Sequence, residues 1–193
     1  MPRLYLVRHA KPAASWGEDP DPGLDATGFA QAHATAKELA GSLARLPLYT
    51  SPMRRCRETA APLAQLWFCD AVAMPAVAEI PSPPLDLASR HDWLIAVMRG
   101  TWQQLHDNAP PGSIDYLQWR ASLTQSLLEL DHDCVICTHF VAINVAVGAA
   151  QKLDEVVCFR PDHASVTVMS NDNGRLRLID LGRQADTLVL TRQ

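Results

Sequence analysis

The pattern of apolar and polar positions changes period several times along the chain, and each change predicts an element. Residues 3–7 are an apolar run with strand character, ending in Arg8 and His9. Residues 13–25 are rich in Pro, Gly and Asp and predict a loop. Phe29, Ala32, Ala36, Leu39 and Leu43 then recur near helical spacing, behind Asp25 or Thr27 as a cap. Leu48-Tyr49-Thr50 predicts a short strand, and Ser51-Pro52 opens a second helix with Pro at a favourable first-turn position. That helix reaches towards Leu66, with Pro62 expected to kink it or end it early.

Residues 71–77 predict another strand, with Pro75 favouring a sheet edge. The run Ile80-Pro81-Ser82-Pro83-Pro84 excludes regular structure. Two helical patterns follow, at about 90–107 and 113–130, and in the second Ile114, Leu117, Ala121 and Leu128 share a face. Residues 133–138 predict a strand that stops abruptly at Thr138-His139, and a largely apolar helix runs on to about residue 150. The segments 164–169 and 176–181 flank Asn173-Gly174, a strong hairpin signal.

Strands alternating with helices, followed by a terminal hairpin, predict an α/β fold: three layers, α/β/α, around a mostly parallel mixed sheet. Residues 84–130 break the alternation and are expected to form a small helical flap over the sheet's edge. The 193 residues suit a single domain carrying that flap.

Composition narrows the classes of function. Hydrophobic residues at 48% and charged residues at 20% describe a soluble globular protein. A net charge of −4 argues against a nucleic-acid partner. The longest apolar stretch, 140–150, is too short to span a bilayer, so no membrane partner is expected. With a strand beginning at residue 3 or 4, no signal peptide is expected, and the five cysteines are expected as reduced thiols in a cytoplasmic protein. Cys134-Val135-Ile136-Cys137 is a C-x-x-C, but it falls in a predicted buried strand with no second pair, so structural cysteines are expected. The pattern does not set an oligomeric state.

Three predicted strands end in reactive residues: Arg8-His9, Thr50-Ser51 leading to Arg55, and Thr138-His139; a fourth, near Val77, ends at Glu79. Open α/β sheets place ligands at carboxyl strand ends. If these strands are parallel neighbours, two Arg, two His and one Glu converge on one rim. A guanidinium is a planar, charged fork suited to phosphate oxygens, and an imidazole nitrogen is a nucleophile near neutral pH.

These residues resemble, in order, the motifs of the histidine phosphatase superfamily, also called phosphoglycerate-mutase-like. They are Leu6-Val7-Arg8-His9, residues 50–55 with Glu58-Thr59-Ala60, Ala78-Glu79-Ile80, and Thr138-His139. Thr27, Gly28 and Gln31 resemble the family's entry into its first helix. The resemblance implies a phosphomonoesterase acting on a small phosphate ester, with His9 as the nucleophile forming a phosphohistidine. It implies Arg8, Arg55 and His139 as catalytic groups that also bind the phosphoryl group. No metal and no cofactor are expected, because the positive side chains supply the field. Glu79 is the expected general acid, since the position after the second histidine is Phe140 rather than the Asp of the acid-phosphatase branch.

Departures from the family pattern lie around the nucleophile. Ala10 stands where Gly is usual, and Lys11-Pro12 replaces Glu-Thr, removing a hydroxyl for which Ser15 is a substitute. Phe140 replaces a Gly and leaves its backbone N–H as a phosphate donor. His163 precedes a strand and is a further pocket residue; Trp93, Trp102 and Trp119 in the flap are weighed as core first and substrate contacts second. The alternatives are a phosphoglycerate-mutase-type phosphotransferase and a non-catalytic module that binds phosphorylated ligands. The modest flap favours hydrolysis over the first, and the pairing of a nucleophile with an acid speaks against the second.

Overall fold

In the computed structural model, residues 1–14 and 18–185 are described. Six strands form one mixed sheet: β1 Arg3–Arg8, β2 Leu48–Thr50, β3 Val72–Ala73, β4 Cys134–Thr138, β5 Val166–Asn171 and β6 Leu176–Asp180, in the order β3-β2-β4-β1-β5-β6. β1 to β4 run parallel, and β5 and β6 join antiparallel. The helices are α1 Ala26–Ser42, α2 Arg54–Trp67, α3 Leu87–Val97, α4 Trp102–Asp107, α5 Tyr116–Leu128 and α6 Phe140–Gln151, with a 3-10 turn at Pro75–Val77.

Alternation along each central strand divides the core in two. Leu4 and Leu6 of β1 and Cys134 and Ile136 of β4 face a cluster with α6, α5 and Trp102. Tyr5, Val7, Val135 and Cys137 face the opposite cluster with α1 and α2. Both faces are covered, giving the three layers that the pattern predicts. The same alternation points Cys134 and Cys137 to opposite faces, so they cannot act as a pair. Burial pushes both thiols up to about 12, and all five cysteines are free.

The helix cap is as expected: the Asp25 carboxylate accepts from Gly28 N at 2.7 Å. Phe29, however, is exposed, and the inward face of α1 is Ala32, Thr35, Ala36 and Leu39. Helix α2 starts at Arg54 rather than at Ser51-Pro52. Ser51 is already committed, its N–H donating to the Cys137 carbonyl and its hydroxyl oxygen accepting from His139 Nε2. The helix also passes through Pro62 to Trp67, because Cys56, Ala60, Leu63 and Trp67 bury one continuous apolar face on either side of the missing N–H.

The strand expected at 71–77 is only Val72–Ala73, at the sheet edge. Met74 N gives one more bond to the Thr50 carbonyl, and Pro75 then opens the 3-10 turn, where its fixed φ and lack of N–H cost nothing. Segment 84–130 holds three helices rather than two, since Gly100 and the capping-box residue Thr101 divide the first. It does not simply cap the sheet's edge. Trp102, Tyr116, Leu123 and Leu127 join α6 in the main core, and the buried stripe of α5 is Tyr116, Leu123 and Leu127. Ile114 is exposed. The hairpin turns at Asn173 and Gly174, with φ of 51° and 78°, as a two-residue turn requires.

Candidate active site

Parallel pairing of β2, β4 and β1 brings three carboxyl ends onto one rim, with Arg8 opposite Thr138 and Thr50 opposite Cys137. His9 follows β1 and is tied to the rim by its N–H, which donates to the Thr138 carbonyl at 2.8 Å. The next residue is held by α2: Ala10 N donates to Thr59 Oγ1, whose hydroxyl donates to the Arg55 carbonyl. The loop beyond crosses the start of α1 so closely that a side chain on Gly28 would collide with the Lys11 carbonyl.

His9 is 6% exposed, and its Nδ1 lies 2.9 Å from the Ala10 carbonyl. A carbonyl only accepts, so Nδ1 carries the proton and Nε2 keeps its lone pair. Burial, then Arg55 and Arg8, hold the ring's pKa well below the usual histidine value. The ring is therefore a neutral base with one free nitrogen.

Arg8 and Arg55 both lie close enough to His9 to act on its ring electrostatically. Arg8 Nη1 donates to the Pro161 carbonyl at 2.9 Å, its guanidinium lies 5.0 Å from the Phe140 ring centroid, and its buried Nε has no partner among the described residues. Burial lowers its pKa to about 10, and it stays charged at neutral pH. Arg55 is 3% exposed; its Nη2 donates to His139 Nδ1 at 3.1 Å and its Nη1 lies 3.9 Å from Asp21. His139 is fully buried, with its ring 5.3 Å from that of His9. Since Nδ1 accepts from Arg55, the proton sits on Nε2, which donates to Ser51 Oγ at 2.7 Å. In the free protein His139 thus orients Arg55 with both nitrogens engaged.

Glu79 does not end a strand; it follows the 3-10 turn. That turn is pinned where Thr138 Oγ1 donates to the Val77 carbonyl, and the residues beyond it where Tyr116 Oη donates to the Pro81 carbonyl. Glu79 Oε1 accepts from Ile80 N at 3.1 Å and from Val141 N, in the first turn of α6, at 3.2 Å. Burial raises its pKa despite these donors and the two arginines. A pocket of about 210 Å³ opens beside Glu79 and Arg55, walled by Pro20, Met53, Ile80 and Arg90.

The family model of the histidine phosphatase superfamily, branch 1, matches residues 4–184. The chain belongs to the histidine phosphatase superfamily. Membership carries the enzyme class, a histidine phosphatase, and leaves the substrate and the chemical steps to be argued from the site. Among solved structures, a mycobacterial glucosyl-3-phosphoglycerate phosphatase complexed with VO3 is similar at a TM-score of 0.73 and 22% identity, covering 93% of this chain and 98% of that one. A mutant phosphoserine phosphatase from Entamoeba histolytica, in complex with phosphoserine, is similar at a TM-score of 0.72 and 18% identity, covering 93% and 96%. These identities speak for the fold alone. No curated protein sequence matches the chain significantly.

In this histidine phosphatase the five residues that the resemblance implies as catalytic converge on one rim. Phe140 meets the rim through its ring, stacked on Arg8. Ser15 lies outside the described residues. The flap tryptophans sit in the core side of the flap: Trp102 is fully buried, its ring 5.9 Å from Trp119, and Trp93 lies 5.9 Å from Tyr116. Sequence reasoning missed Ser51 as the partner of His139, although a Ser directly after the second strand was visible. Among the described residues, no His, Cys, Asp or Glu group has the makings of a metal site, and no helix is long and apolar enough to cross a membrane.

Proposed function

We propose that the chain hydrolyses a small phosphate monoester through a phosphohistidine at His9. The observation that carries this is a neutral imidazole, its Nδ1–H held by a backbone carbonyl and its Nε2 free, close to the buried Arg55 and the partly buried Arg8. Nε2 attacks phosphorus, an N–P bond forms and the P–O bond to the alcohol breaks. Arg8 and Arg55 hold the equatorial oxygens, whose charge spreads in transit, so no metal is called on. A phosphoryl dianion that draws Arg55 Nη2 off His139 Nδ1 frees that nitrogen to take a proton from water, and its N–H then becomes a further donor to the phosphoryl group.

Glu79 supplies the proton for the leaving oxygen. Its Oε1 is occupied by two backbone N–H groups, so the acid proton belongs on Oε2, and burial keeps it there nearer to neutrality. In the second step the Glu79 carboxylate takes a proton from water, water oxygen bonds to phosphorus, and the N–P bond breaks to release inorganic phosphate and neutral His9. The leaving group lies in the pocket beside Glu79, whose roughly 210 Å³ fits a small alcohol.

Replacing His9 with Ala is expected to lower phosphate release from p-nitrophenyl phosphate by at least ~10⁴-fold and to abolish the acid-labile, base-stable label left by a phosphoryl donor. A His9→Ala protein that still turns over and still labels overturns the reading.

A further inference from the structure

One histidine on the rim has no part in the chemistry above. His163 sits between β4's helix and β5, in the turn of residues 161–165, with its ring centroid 5.9 Å from that of His9. We propose that His163 is a further phosphoryl-contacting residue, donating a ring N–H to an oxygen of the group held by Arg8 and His9. The inference rests on the phosphoryl site proposed above and adds a residue to it.

The turn is built to hold that ring in place. Ala164 N donates to the Arg8 carbonyl at 3.1 Å, Arg8 N donates to the Ser165 carbonyl at 3.1 Å, and Arg8 Nη1 reaches the Pro161 carbonyl. Ala164 itself has φ of 54°, a left-handed conformation that a non-glycine residue adopts only when its surroundings hold it there. It is kept there by burial against Ala10, Leu24 and Ala32, and by Thr35 Oγ1, which donates to its carbonyl at 2.8 Å. The backbone next to His163 is thus fixed to the backbone of the nucleophile's own strand.

The ring, by contrast, has no hydrogen bond to any described residue. The neighbouring carboxylate does not supply one, because Asp162 Oδ1 accepts from the His163 backbone N–H instead. A half-buried imidazole tilted 50° to the nucleophile's ring, and left without a partner among the described residues, has its hydrogen-bonding capacity free for a ligand. Two centroids 5.9 Å apart leave room for a phosphoryl oxygen at a hydrogen-bond length of about 2.8 Å from the second ring. The charged and titratable groups facing it are Arg8, His9, Lys11, Asp162 and Asp25. Burial and Arg8 hold its pKa at about 4, so it meets the ligand as a neutral donor.

The test uses the whole chain with inorganic phosphate and orthovanadate as probes and p-nitrophenyl phosphate as substrate. His163→Leu is expected to weaken phosphate and vanadate binding about tenfold or more and to lower kcat/KM comparably, while His163→Asn, which keeps a donor, recovers most of the loss. Nitrogen-15 NMR of the wild-type ring is expected to show its pKa moving up from about 4 when phosphate saturates the site. A structural role would leave that titration unmoved. Unchanged probe affinity in a folded His163→Leu, with an unmoved titration, overturns the proposal. If the wild type binds phosphate in a His163-dependent way but shows no turnover, the hydrolase reading fails and this contact stands.

Discussion

The rim at the ends of β1, β2 and β4 and the helical segment of α3 to α5 put burial to opposite uses. On the rim, burial falls fully on His9, Arg55 and His139 and partly on Arg8 and Glu79, where it costs stability and shifts the ionisable groups from their usual pKa values. In the helical segment it is applied to Trp102, Tyr116, Leu123 and Leu127, where it returns stability and touches no reacting atom. The two regions meet at the residues after Glu79, where the Tyr116 hydroxyl holds the Pro81 carbonyl at 3.0 Å. Residues that make the fold stable and residues that make the site reactive are therefore largely separate sets, and substitutions should separate them too.

The largest effect expected is chemical. Glu79→Gln keeps the shape and the two backbone donors' partner but removes the proton, so kcat on an alkyl phosphate should fall by about 10² to 10⁴. On p-nitrophenyl phosphate, whose leaving group needs no acid, the loss should be far smaller, and the melting temperature should hardly move. Equal losses on the two esters would remove Glu79 from the acid's role.

The converse substitution lies in the helical segment. Trp102→Ala empties a fully buried site and should cost about 3–5 kcal/mol in urea unfolding. The kcat/KM of the protein that stays folded should remain within about twofold of the wild type, because the Trp102 ring packs on Trp119 and under Arg120, away from the charged side chains of the rim. A fall in kcat/KM matching the loss of stability would mean that this segment does shape the pocket, and the division between the regions would collapse.

The two regions also differed in how far they could be read from the chain alone. The rim was legible because strands announce themselves by apolar runs, and each ended at a chemically distinctive residue. Glu79 is singled out by its place in the motif order, although the strand expected before it stops early: Pro75 turns the chain into a 3-10 turn instead. The helical segment was harder. Its inward stripe is Tyr116, Leu123 and Leu127 rather than the face of Ile114, Leu117, Ala121 and Leu128 that the periodicity picks out, and Ile114 is exposed. The partner of His139 was not legible either, since a hydrogen bond from its Nε2 to Ser51, 88 positions away, has no local pattern. Long-range polar pairing is set by topology, and topology appears only when the strands are ordered.

The smallest effect tests the cost of burying the rim's imidazoles. His9 and His139 have pKa values well below 6.5, and His163 is near 4, so below pH 6.5 the unfolded chain binds protons that the folded chain does not. Stability therefore rises with pH through this window and falls on acidification, by about 1.4 kcal/mol for each such histidine at pH 5.5, less for the partly exposed His163. Glu79 acts with the opposite sign: its raised pKa means that the folded state holds a proton which the unfolded state has released, so acidification through that range stabilises. Asp25 and Asp131, whose pKa values are lowered, lose their contribution only at more acidic pH. Urea midpoints at pH 7.5, 6.5 and 5.5 should thus fall steadily for the wild type. They should fall more steeply for Glu79→Gln, which removes the opposing term, and less steeply for His9→Ala. Midpoints that are flat across this range, or a Glu79→Gln profile shallower than the wild type, would mean that the rim is not the dry, charge-penalising environment that its chemistry requires.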